Sequence, residues 1–195
     1  VSLASRAGDL YYAFRFVKLL TTEWKETDAY KLGLIDVNGK RIKSEKVDTD
    51  EKKTAYTPFI RLAYNIKRML EKLPGGSSTI SSYAAALFLL KEEFGLSDKS
   101  IDKIMKLSDI DPLDLMAEDH KWFQLEDGRL SPGMYRVKND KLLSTNLEDV
   151  VNAKDQIRIS ENAYPVGEIC GVSIYEATHA NTGHKVHVSV GELIK

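Results

Sequence analysis

With a single cysteine, Cys170, in 195 residues, the chain can form no intrachain disulfide, and its cysteine usage gives no sign of secretion. Cys170 lies between Ile169 and Gly171 at a strand-like position. It reads as a buried structural thiol, because a reactive one needs a positive charge close by. Long apolar runs are missing too. None reaches the ~18 residues of a membrane span, and no signal peptide is visible. Strong net charge is absent: the formal total is −1, far from the basic footprint of a dedicated nucleic-acid-binding domain. Nor is there a His-Glu-x-x-His helix, a Gly-x-Ser-x-Gly elbow or a Gly-x-Gly-x-x-Gly turn. No catalytic residue, cofactor site or metal site is therefore assigned.

What is present describes an ordinary globular protein. Hydrophobic residues make up 43% and charged residues 29%, on a chain long enough to bury a real core in one domain or two small ones. The charge is unevenly divided, net basic up to Leu73 and net acidic from Pro74 onward, which suits docking against charged neighbours. The first residue is Val, so either the initiator Met is removed or the start is made by proteolysis.

Leu3, Ala7, Leu10, Phe14 and Val17 recur at helical spacing and predict an amphipathic helix from about Ser5 to Leu20 with that stripe as its core face. Asn38-Gly39 between β-like flanks predicts a hairpin over Ile35–Ile42, and the charged stretch from Lys43 to Lys53 reads as exposed. Thr57 as N-cap and Pro58 in the first turn open a second helix, which Leu73-Pro74-Gly75-Gly76 ends. The next, Ile80 to Phe94, is apolar all round from Tyr83 to Leu90 and so reads as central. Ser97 and Asp111-Pro112 begin two shorter helices. Beyond His120 the turn signals crowd together. A hairpin is expected around Asn139-Asp140 between Met134–Val137 and Leu142-Leu143, one or two helical turns over Leu147–Ala153, and a strand at Gln156–Ile159. Two further β runs follow, joined by Ala180-Asn181-Thr182-Gly183. The prediction is an α+β protein: a mainly helical domain over 1–120 with a short hairpin near 33–43, then an antiparallel β-rich module over 121–195 that ends in a hairpin.

Three local clusters invite a chemical reading and fail it. Alternation along the last hairpin puts His179 and His184 on the face of Tyr175, Ala177, Val186 and Val188, and turns His187 to the other face, opposite Glu176. Three histidines near in sequence thus do not converge on a metal, and two alone do not complete a zinc site. Counting a calcium loop from Asp109 puts Asp114 where Gly is required and His120 where Glu is required; helix capping accounts for Asp111 and Asp114. Pro74-Gly75-Gly76-Ser77-Ser78 precedes a helix but lacks the P-loop lysine, so it reads as an interhelical loop.

Two surfaces remain as candidates. Arg61, Lys67, Arg68 and Lys72 lie along the second helix and could meet nucleic-acid phosphates, although a solvated face paired with acidic neighbours explains them as well. Tyr11, Tyr12 and Phe16 lie beside or away from the apolar stripe of the first helix. Either that helix is wrapped by its own chain, or these aromatics meet another subunit.

Several phrases carry a resemblance: FRFVKLLTTEWKETDAYKLG from Phe14 to Gly33, Ala55 to Glu92 with its LPGGSS linker and SYAAALFLLKE helix, PGMYRVKNDKL from Pro132, and the closing PVGEICGVSIYEATHANTGHKVHV. Over well more than half its length the chain resembles a family of proteins of tailed bacteriophages, phages of marine bacteria among them. The resemblance implies a phage-encoded protein carried in the virion and supplies no catalytic residue. The leading expectation is a non-enzymatic structural or interaction protein of the particle. Its expected partners are copies of itself and other virion proteins, with no membrane, and it passes through the host cytoplasm during assembly. The alternatives are a nucleic-acid-associated phage protein using the basic helix face, or an early protein that binds host machinery.

Overall fold

Helix starts follow from local chemistry. Thr27, Thr49, Thr57 and Ser97 each accept a hydrogen bond from the backbone N–H three residues on, at 3.2–3.3 Å, which satisfies a donor the helix itself cannot. They open α2 (Asp28–Lys31), α3 (Asp50–Ala55), α4 (Pro58–Glu71) and α6 (Asp98–Leu107); α1 spans Leu3–Thr21 and α5 spans Ser77–Phe94. The computed structural model describes residues 3–72, 77–108, 123–142 and 150–195, and within them the protein is α+β, with helices first and an antiparallel sheet after. The domain boundary expected near residue 120 and the helix expected at Asp111 lie outside these residues.

α5 is the central helix. Every residue from Ala84 to Leu90 is buried, as all-round apolarity requires. On one side it meets α4, and on another the sheet. α1 lies across α4 and α6. A satellite core of Trp24, Ala29, Leu34, Ile35, Ala55, Ile60 and Tyr64 holds the α1–α4 connection against α4. Within it the hairpin expected near 33–43 reduces to one bridge, Ile35 to Arg41. Asp36 organises its turn by accepting from the N–H groups of Lys40 (2.9 Å) and Asn38 (2.8 Å), which hold its carboxyl below the usual range. Gly39 has φ +76°, and a Cβ there would stand 2.5 Å from the Trp24 ring, so both backbone and space require glycine.

The sheet strands are β1 (Gly133–Val137), β4 (Gln156–Ile159), β5 (Gly167–Ile169), β6 (Val172–His179), β7 (Lys185–Val188) and β8 (Leu193–Ile194); β2 (Lys141–Leu142) and β3 (Val150–Val151) pair separately. β6 pairs with β5, β7 and β4, β4 with β1, and β1 with β8. β7 and β8 thus flank the order β7-β6-β4-β1-β8, yet only four residues separate them in sequence. A flat sheet would place them ~19 Å apart, at ~4.8 Å per strand, and the short 3-10 turn Val190–Glu192 between them does not bridge that. The sheet therefore curls around its apolar face. Tyr135, Val137, Ile157, Ile159, Tyr175, Ala177, Val186, Val188 and Leu193 fill the inside.

Three strand expectations are corrected. β1 does not form a hairpin with residues 141–142: it takes β4 and β8, while β2 pairs with β3. The cause is burial on two sides. Leu142 joins the helical core, and Lys141 makes a buried ion pair with Glu192, whose other carboxylate oxygen accepts from the Ser189 N–H. Val150-Val151 is strand β3 rather than part of a helical turn. The first run of the last hairpin also divides, because Cys170 and Gly171 form a two-residue turn between β5 and β6 with φ +48° and +84°, the positive pair that a type I′ turn needs.

Helices and sheet share a core, since Ile169, Val172 and Ile174 belong to the same cluster as Leu62, Leu87 and Ile104. Phe88 is the joint. Its ring meets His187 edge-on at 5.0 Å and lies so close to Gly167 that any Cβ there would collide with it.

Candidate functional site

α1 is the helix whose residues divide least as the sequence predicts. Its buried side is Ala13 and Phe16, with Val17 and Leu20 partly covered. Leu10 is 43% exposed, Tyr11 56% and Phe14 51%. Leu10 and Phe14 were expected to face the core, and that expectation is corrected: α1 turns Ala13 and Phe16 into the helical core instead. Phe16, a candidate interface residue, has no exposed surface and belongs to the protein's own core. Tyr12 is 37% exposed, with its ring against Phe59 (5.0 Å) and Phe94 (6.5 Å). Tyr11 stays open, its hydroxyl accepting from Arg15 at 2.7 Å.

Beside this open face runs a groove of about 630 Å³. Tyr11, Phe14, Arg15 and Lys18 of α1 line it together with Glu26 and Asp28, and the buried Ile60 and Tyr64 contribute from α4. Burial pushes the Tyr64 hydroxyl up, with a hydrogen bond to Thr27 opposing. The wall is neutral and aromatic low down and carries both charge signs at the rim. Lys103 of α6 reaches over the outer edge, 5.4 Å from the centre of the Phe14 ring, a cation–π distance.

The candidate basic face does not form as a unit. Lys67 points inward: it is buried, donates to the Thr22 carbonyl, and lies 4.1 Å from the centre of a Trp24 ring whose Nε1–H donates to Glu71. Burial pushes the Lys67 ammonium below its ordinary value, with Glu71 opposing. The physical reason is its place on the helix, about 100° around from Arg68 and facing the α1–α2 connection. Arg61 and Arg68 are half-buried and Lys72 is exposed; the Arg68 guanidinium donates to Asn65 in the next turn back.

His179 and His187 stand as alternation requires, whereas His184 precedes β7 and has no place in the register. Glu176 is opposite His187 and Ala177 opposite Val186. His179 is buried and held by both ring nitrogens, Nδ1 with Thr182 at 2.8 Å and Nε2 with Asp155 at 3.0 Å, while His184 is exposed. His187 is pushed below its ordinary value by burial, and its Nδ1 has no partner among the described residues. Cys170 is half-buried at a turn, not within a strand, with its sulfur 3.0 Å from that of Met105. Burial, then Asp102, Asp98 and Glu168, push its thiol up, the opposite of what a nucleophile needs. Among the described residues no group of three or more His, Cys, Asp or Glu is placed to hold a metal ion, and no helix is long and apolar enough to cross a membrane. The acidic cluster from Asp109 to Asp119 and the Pro74–Gly76 segment lie outside the described residues.

Sequence reasoning thus misassigned the faces of α1. It passed over Glu26 and Asp28, which join the groove lining only when the chain folds back across α1. No family model, curated protein or solved structure matches the chain.

Proposed function

We propose that this chain is a non-enzymatic structural and interaction protein of a tailed-phage virion, present in multiple copies and working through the open face of α1. The observation that carries the interaction reading is the adjacent exposure of Leu10, Tyr11 and Phe14 beside a groove with an aromatic floor. Clustered aromatic residues are what protein interfaces enrich at their centres. The virion assignment rests on the sequence resemblance of the quoted segments. Against the nucleic-acid alternative stand the inward Lys67, which removes a charge from the basic face of α4, and the acidic Glu26 and Asp28 on the groove. Mass spectrometry of purified particles of the phage that encodes the chain tests this reading. Peptides at a stoichiometry of several copies per particle support it; their absence from particles, with the protein present in infected cells, overturns it.

A further inference from the structure

We propose that the occupant of the α1 groove is a second copy of this chain, in a two-fold pairing that lays each α1 against the other's groove. This rests on the interaction reading above and names its partner. Two independent features point to self-association. The first is an uncovered stripe: Leu3, Ala7, Leu10, Phe14 and Val17 recur at intervals of four, three, four and three, the spacing of one continuous helix face. Leu10 and Phe14, in the middle of that series, are exposed rather than spent on the protein's own core.

The second is charge. A two-fold contact joins a patch to itself, so the patch must carry its own complement. The groove does: its lining holds Arg15 and Lys18 of α1 together with Glu26 and Asp28. Arg15 is engaged with Tyr11 and Glu26 with Lys31, at 3.8 Å. Lys18 and Asp28 make no ion pair among the described residues, so each is free to meet the other on the neighbouring copy. A nucleic acid, an anionic surface or a purely acidic partner would leave Glu26 and Asp28 of the lining opposed by like charge.

The test is analytical ultracentrifugation of the full chain across a concentration series. Wild type is expected to show a monomer–dimer equilibrium. Leu10→Asn with Phe14→Asn should weaken it roughly tenfold or more, as loss of central interface residues does, with an unchanged far-ultraviolet circular dichroism spectrum. Lys18→Asp and Asp28→Lys should each weaken their own homodimer, and mixing the two variants should restore pairing as a heterodimer, because opposite charges then meet at both contacts. The mixture keeps the test valid even if the apolar double variant folds poorly. A chain that stays monomeric up to about 100 μM, well above micromolar dissociation constants, overturns the proposal, as does a dimer indifferent to all these changes. A monomeric chain that is nonetheless found in particles contradicts the self-pairing alone and leaves the virion reading in place.

Discussion

α1 and α5 are nearly equal in length, 19 and 18 residues, and both carry apolar side chains on more than one side. α5 is enclosed by α4 and by the sheet, so its apolar residues from Ala84 to Leu90 are all buried. Among the described residues α1 packs against α4 and α6, with Ala13 and Phe16 turned in while Leu10, Tyr11 and Phe14 stay out. The comparison teaches that an apolar stripe states a need for cover and not who supplies it. In α5 the cover comes from the same chain. In α1 we place it on a second copy.

The largest test of that contrast lies in α5. Leu87→Ala should lower unfolding free energy by about 2–5 kcal/mol, from lost transfer energy and the cavity left behind, measured by chemical denaturation. A loss under about 1 kcal/mol would mean that α5 is not the enclosed helix. Next comes the joint between helices and sheet. Gly167→Ala drives a Cβ into Phe88 and should cost roughly 1–3 kcal/mol, the usual range for overpacking; a neutral result would show that α5 and the sheet can part without penalty.

A smaller effect concerns pH at the same joint. His187 is surrounded by Phe88 and Glu92 of α5, Glu176 of β6 and Lys141 of β2. Burial lowers its folded value below the ordinary 6.5, so on acidification the unfolded chain takes up the proton first. Stability should therefore fall as pH drops below about 6.5, and the loss should level off once the folded imidazole also protonates. His187→Gln should flatten that part of the profile relative to wild type, and superimposable profiles would remove His187 from the account. The smallest stability effect belongs to α1. Phe14→Ser should change unfolding free energy of the monomer by no more than about 0.5 kcal/mol, as for exposed positions in general. A loss of several times that would show Phe14 to be part of the monomer's core.

Local signals in the sequence were enough for much of the fold. Thr57 and Ser97 cap where short-range chemistry puts them, and the His187–Glu176 register follows from alternation across one short loop. What was not legible depends on distant partners. Nothing near Met134–Val137 tells that β1 pairs with the last strand, because that pairing follows from the curling of the whole sheet. Cys170-Gly171 carries a turn signal that the apolar character of its flanks conceals. The site divides in the same way. Exposed aromatics on α1 could be anticipated from their number, but the inward turn of Phe16 could not, since α4 and α6 alone decide which arc they cover. Lys67 shows the converse, a charge drawn from a seemingly basic face by Trp24 and a backbone carbonyl forty-five residues away.

Hydroxyl-radical footprinting sets the two helices side by side, comparing dilute free protein with assembled particles. Tyr11 and Phe14 should be oxidised readily in the free chain and protected in the particle, while Phe88 of α5 should be unreactive in both. Equal reactivity of Tyr11 and Phe14 in the two states would contradict the account, because the open face of α1 would then remain uncovered where the protein does its work.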